Sequence, residues 1–218
     1  VRKGTKNVAD AIPMIAPNLG LLHKGYDADV VVTEYPHVSN VVWVGAMGPD
    51  WSDGEERGVY KTTDGGRSWR RVLWVDERTG VADLVLDPAN PQTMLAAMWE
   101  YRREPWFFTS GGPGSGLWLS HDGGETWELH TEGLDDPWDP TSTVQVVSLA
   151  VDWGAPSRLV AASRYHTFSS SDGGVTWLLL PDPLAPLGWA WSEVAPLAAC
   201  PRPGGPILGG SSSLGVMR

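Results

Sequence analysis

Cysteine is almost missing from this chain. Cys200 stands alone among 218 residues, which excludes an intrachain disulfide and any metal centre built on several thiolates. Positive charge is scarce too: 16 Lys and Arg face 26 Asp and Glu, a formal charge of −10. Phosphate backbones and anionic membranes are held by Lys/Arg-rich patches, which this balance does not supply. No apolar run reaches the ~18 residues of a membrane-crossing helix. The stretch at 11–22 is broken by Pro13 and Pro17 and lacks a small-residue cleavage site, so it is not read as a signal peptide. Asn-x-Ser/Thr does not occur. His23, His37, His121, His130 and His166 share no metal-ligand spacing, and the glycine run at 111–116 lacks the Lys-Ser/Thr of a phosphate loop. We expect no cofactor, no bound metal, no nucleic-acid partner and no membrane insertion.

What is present is apolar and turn-rich. Hydrophobic residues make up 42% and charged ones 19%, enough to bury a core. Gly at 26 and Pro at 18 imply many reversals, and 13 Trp against 3 Phe and 5 Tyr call for a structural cause.

The cause is a repeat. One octapeptide pattern, here termed the box, recurs as Thr62-Thr-Asp-Gly-Gly-Arg-Ser-Trp69, Ser120-His-Asp-Gly-Gly-Glu-Thr-Trp127 and Ser170-Ser-Asp-Gly-Gly-Val-Thr-Trp177. The box aspartates are spaced 58 and 50 positions apart. Each box follows a short apolar run, itself preceded by another strand-like element. Adjacent glycines tolerate the positive φ of a tight turn. The aspartate can accept the backbone N–H groups of that turn, and the tryptophan opens the returning strand. On this reading Asp64, Gly66, Trp69, Asp122, Gly124, Trp127, Asp172, Gly174 and Trp177 are architectural, and the aspartates are not catalysts.

Each period holds four short strands, A to D, and such a sheet cannot bury both faces alone. Radial stacking solves this, giving an all-β propeller of ~4–8 blades. The chain is expected to hold about three to four four-stranded antiparallel blades of a larger propeller over residues 29–218, with 1–28 unassigned. Residues 196–218 fit the same ruler, with Cys200 as a small apolar filler in a strand, so the array is expected to break off before a fourth box.

The boxes match the Asp-box (BNR) repeat at every defined position. From about 41 to 133 the chain resembles more narrowly the Asp-box propellers of large secreted bacterial proteins, related to the sortilin (VPS10) N-terminal domain. The residues that carry this are Glu56-Arg-Gly-Val-Tyr-Lys-Thr-Thr-Asp-Gly-Gly66, Asp83-Leu-Val-Leu-Asp-Pro88, Ala96-Ala-Met-Trp99, Arg102 to Trp106 and Ser110-Gly-Gly-Pro-Gly-Ser-Gly116. The resemblance implies a secreted, periplasmic or extracellular setting. The repeat is also shared with sialidase-type and xyloglucan-cleaving glycosyl hydrolases.

Connectivity assigns the boxes, as C–D turns, to one face. The opposite face takes the loops at 48–57, 74–80, 100–115, 131–143 and 178–193. Long loops in compact folds often carry function. In 100–115, Tyr101, Arg102, Arg103, Trp106 and Phe107 set cations among aromatic faces, a composition enriched at interaction hot spots. A competing reading makes Trp106 and Phe107 a plug between blades and pairs Arg102 or Arg103 with Glu104 or a nearby acid. The acidic loop with Asp50, Asp53, Glu55 and Glu56 reads as solvated surface more readily than as a calcium site.

Glycosidases need two carboxylates about 5–10 Å apart across a cleft, and sialidase-like chemistry an arginine cluster and a tyrosine nucleophile. Asp76, Glu77, Glu104, Asp135, Asp136, Asp139 and Glu193, with Arg102, Arg103, Arg164 and Tyr165, show no spacing that pairs them. The expectation is a non-catalytic scaffold engaging a protein, peptide or carbohydrate. The alternative is part of a secreted glycoside hydrolase working on the face opposite the boxes.

Overall fold

The computed structural model describes residues 30–34, 41–181, 197–200, 202, 205–211 and 215–217, so the expected segment 1–28 and Glu193 lie outside the described residues. Among these the chain is all-β and antiparallel, with no helix. The first sheet holds β1 (Val30–Glu34), β2 (Val42–Ala46), β3 (Gly58–Thr62) and β4 (Arg70–Leu73), paired in that order. The second has β5 (Thr79–Leu86), β6 (Met94–Glu104), β8 (Gly116–Ser120) and β9 (Glu128–His130), while β7 (Phe107–Ser110) pairs with the far end of β6. A two-stranded hairpin follows, β10 (Asp135–Asp136) and β11 (Asp139–Thr143). The third sheet runs β12 (Ser148–Val151), β13 (Leu159–Ala162), β14 (Thr167–Ser170), β15 (Leu178–Leu179). The last is β16 (Leu197–Ala199), β17 (Ile207–Ser211) and β18 (Gly215–Met217).

The core lies between sheets rather than within any one of them. Side chains alternate across a strand. Along β6, Met94, Ala96 and Met98 join Trp43, Val59 and Leu73 of the first sheet. Leu95 and Ala97, on the other face, join Leu149, Leu159, Phe168 and Trp177 of the third. A strand buried on both faces reads in sequence as an unbroken apolar run, and Met94-Leu-Ala-Ala-Met98 is one. A third cluster, Ala150, Ala162 and Leu197, joins the third sheet to the fourth. Close approach at the first seam demands glycine, since any side chain at Gly80 would run into the Met47 carbonyl. Cys200 falls just beyond β16 and is half-buried, not a filler inside the strand.

The boxes are the β3–β4, β8–β9 and β14–β15 turns. In the first, Asp64 Oδ1 accepts the backbone N–H of Arg67 and of Ser68 at 2.9 Å, and Oδ2 accepts the Ser68 hydroxyl at 2.6 Å. Thr62 Oγ1 donates to Asp64 and accepts Gly66 N–H at 2.9 Å, and Trp69 Nε1 donates to the Gly66 carbonyl at 3.2 Å. Gly65 and Gly66 sit at φ 74° and 89°. The same bonds recur around Asp122 with Ser120, Thr126 and Trp127, and around Asp172 with Ser170, Thr176 and Trp177.

Hydrogen bonds stabilise the charged form of a carboxylate. The Thr176 hydroxyl first, then the backbone N–H groups, hold Asp172 down at about 2. Asp64 and Asp122 are held lower still by Ser68 and Thr126.

Candidate binding face

The end of each sheet opposite its box carries the connections between second and third strands and between one sheet and the next, and three of them are knitted into one surface, while the β5–β6 and β12–β13 turns lie on the box side. Gly54 N–H donates to the Glu77 carbonyl at 2.8 Å, Tyr101 N–H to Arg78 at 3.1 Å and Arg103 N–H to Asp50 at 2.8 Å. The loop after β2, the loop after β4 and the end of β6 are therefore tied to one another by backbone hydrogen bonds.

The segment 100–115 is not a simple loop. β6 leaves its partner β8 after Met98↔Gly116 and continues through Glu104, pairing with β7 from Tyr101↔Ser110 to Glu104↔Phe107. A protruding hairpin results, with Pro105 and Trp106 at its tip. Trp106 is 82% exposed and Phe107 63%, so neither plugs a gap between blades. Tyr101 is the opposite, only 2% exposed, its hydroxyl donating to the Gly48 carbonyl at 3.1 Å. Burial pushes this hydroxyl up to about 12 against the pull of Arg57. Of the five residues expected to bind, Tyr101 is thus a support and Trp106 and Phe107 are presented to solvent.

Arg102 and Arg103 stand between those extremes. Arg102 bonds Asp53 at 2.8 Å and Glu104 at 2.9 Å, and Arg103 bonds Asp50 at 3.0 Å. The Arg103 guanidinium lies 5.0 Å from the Phe108 ring centroid. Trp99 meets Phe108 edge-on at 6.1 Å. The acidic loop is therefore the counterpart of the next blade's arginines, a role that neither a solvated surface nor a calcium site anticipates. Among the described residues no group of three or more His, Cys, Asp or Glu is placed to hold a metal ion.

One supporting residue is invisible to sequence reasoning. Arg57 is fully buried, donating to the carbonyls of Met47 and Pro49 at 2.6 Å each, with its guanidinium 4.6 Å from the Tyr101 ring centroid. It ties the loop after β2 to the base of the hairpin. Nothing in Glu56-Arg-Gly58 separates this arginine from an exposed one.

A second aromatic group lies on the same end of the third sheet. Trp138, on the turn of the β10–β11 hairpin, meets Tyr165 at 5.3 Å and His166 at 4.5 Å, and Arg164 lies over Tyr165. Glu100 accepts Gly114 N–H and faces Arg78, Asp76 accepts Arg78 N–H, and Asp136 accepts Trp138 N–H. Glu100, Asp76 and Asp136 are thus committed to turns and to Arg78. Arg102 and Arg103 lie on β6 in the hairpin, and Arg164 lies in the β13–β14 connection of the third sheet.

Among the described residues no helix is long and apolar enough to cross a membrane. No family model matches the chain, and no curated protein matches it. Solved structures do. An ancestral GH74 enzyme superposes with a TM-score of 0.57 at 18% identity, over 90% of this chain and 26% of that one. The GH74 xyloglucanase from Xanthomonas campestris gives 0.58 at 19%, over 81% and 25%. The GH74 enzyme of Niastella koreensis gives 0.50 at 19%, over 70% and 22%. The chain spans about a quarter of the length of these structures. At such identities the likeness is one of fold, and the fold is that of consecutive blades of a β-propeller.

Proposed function

We propose that this segment is a non-catalytic binding unit of a propeller, and that the face opposite the boxes takes a carbohydrate chain. The observation that carries the reading is the hairpin tip. Trp106 and Phe107 lie open to solvent beside Arg102, Asp53 and Glu104, with Trp51 of the adjacent loop exposed as well. Large exposed aromatics cost solubility unless they meet a partner. Flat rings suit the apolar faces of sugar rings, and the charged hydrogen-bonding groups of Arg102, Asp53 and Glu104 suit their hydroxyls. The underlying hairpin is held by Arg57, Tyr101 and three backbone bonds, so little ordering accompanies binding.

Hydrolysis is the lesser reading, because Asp50, Asp53 and Glu104 each already bond an arginine. The finer resemblance to secreted and sortilin-type Asp-box propellers, and with it an extracellular setting, is part of the same proposal. A glycan array on this chain is the test, alongside Trp106→Ala with Phe107→Ala. Binding that falls tenfold or more in the double variant supports the reading. Unchanged glycan binding, or turnover of chromogenic glycosides, overturns it.

A further inference from the structure

Register against the boxes makes positions in neighbouring blades comparable. Val42 pairs with Thr62 and Met94 with Ser120, each the first residue of its box, so Trp43 corresponds to Leu95 and Lys61 to Leu119. At the first seam Trp43 and Lys61 reach into the next box. Trp43 Nε1 donates to the Gly123 carbonyl at 3.0 Å, and Lys61 Nζ donates to the same oxygen and to Glu125, both at 2.8 Å. At the second seam Gly173 stands where Gly123 does and Val175 where Glu125 does. Leu95 and Leu119 are shorter and have nothing to donate.

The space they leave is open. A pocket of about 170 Å³ lies there, with Leu95, Leu119, Leu159 and Gly173 on its apolar side and Asp87, Thr93, His121 and Ser157 on its polar side. A Cβ on Gly123 would meet Gln92, whereas one on Gly173 would have nothing within 4 Å. Among the described residues no side chain donates to the Gly173 carbonyl, although Gly173 N–H donates to Ser157 at 2.8 Å. An aliphatic cavity of about 150 Å³ is enough to take up benzene.

We propose that this crevice accepts a tryptophan side chain presented by a partner polypeptide. The ring lies against the wall formed by Leu95, Leu119 and Leu159, and the indole N–H donates to the Gly173 carbonyl, as Trp43 does for Gly123 one seam earlier. A polypeptide is the source because the occupant of the sister position is a side chain on an extended strand. The site is on the box face, independent of the hairpin on the opposite face.

The test titrates the whole chain with a pentapeptide bearing a central Trp, its Ala counterpart and free indole, read by saturation-transfer NMR. The Trp peptide should bind at least about tenfold more tightly than the Ala peptide. Leu95→Trp, whose own indole fills the space, should weaken that binding tenfold or more. Leu119→Lys, which restores the donor of the first seam, should do the same and serves if the tryptophan variant does not fold. No saturable binding by the native chain overturns the proposal, as does undiminished binding by a folded variant. Free indole binding as tightly as the peptide overturns the polypeptide source.

Discussion

Asp83 on the second sheet accepts the backbone N–H of Leu149 on the third, 2.8 Å from its Oδ2, with the Ser148 hydroxyl at 3.2 Å on the same oxygen. Ser148 in turn accepts Leu197 N–H at 3.0 Å, so one line of hydrogen bonds crosses three sheets. A register shift between Val81 and Asp83 brings this carboxylate into the seam. Asp83→Ala should remove about 2–3 kcal/mol of stability, since a buried bond to a charged acceptor is lost and its donors are stranded. Urea unfolding measures it, and an unmoved midpoint denies the seam role.

Asp122→Ala breaks the second box turn without touching the opposite face. Thermal unfolding should occur at lower temperature while glycan binding at the hairpin persists. A variant with native thermal stability and lost binding would show that the box is a ligand site.

Acid should unfold the chain from the boxes. The box carboxyls are depressed in the folded state, so their contribution is complete above the unfolded aspartate value of about 3.9 and disappears as pH falls toward 2. Urea midpoints taken between pH 5 and 2 should decline through that window, and Asp172→Asn should flatten the decline. A level profile would contradict it.

Arg57→Met keeps an unbranched apolar stem and removes the guanidinium donors. The Met47 and Pro49 carbonyls lose their partner in a buried setting, at a cost of about 2–4 kcal/mol. Hydrogen exchange should quicken across 47–57 and at the base of the hairpin while the third sheet is unaffected. Equal protection in variant and parent would remove Arg57 from its bracing role.

The box turns were legible because the bonds that shape each turn fall within eight residues: Thr62, Asp64, Ser68 and Trp69 name their own partners. The strands followed, since the box fixes where one ends and the next begins. The hairpin was not legible, because Arg102-Arg-Glu-Pro105 has the composition of a loop whether or not it continues a strand. Of the partners of Arg102 and Arg103, Glu104 was legible from its nearness in the chain, but Asp53 and Asp50 lie 49 and 53 residues away in an acidic run with no pattern of its own. The contrast between Trp43 and Leu95 emerges only once pairing aligns one sheet with the next.

That contrast gives the two seams different chemistry. The first is closed partly by Lys61 and Glu125, a pair that dissolved ions shield. The second is closed by Leu95, Leu119 and their aliphatic neighbours, whose mutual attraction fades on cooling. Both seams bury apolar side chains and both slacken on chilling, but brine also reaches the first through Lys61 and Glu125, so salt is the stress that tells the two joints apart.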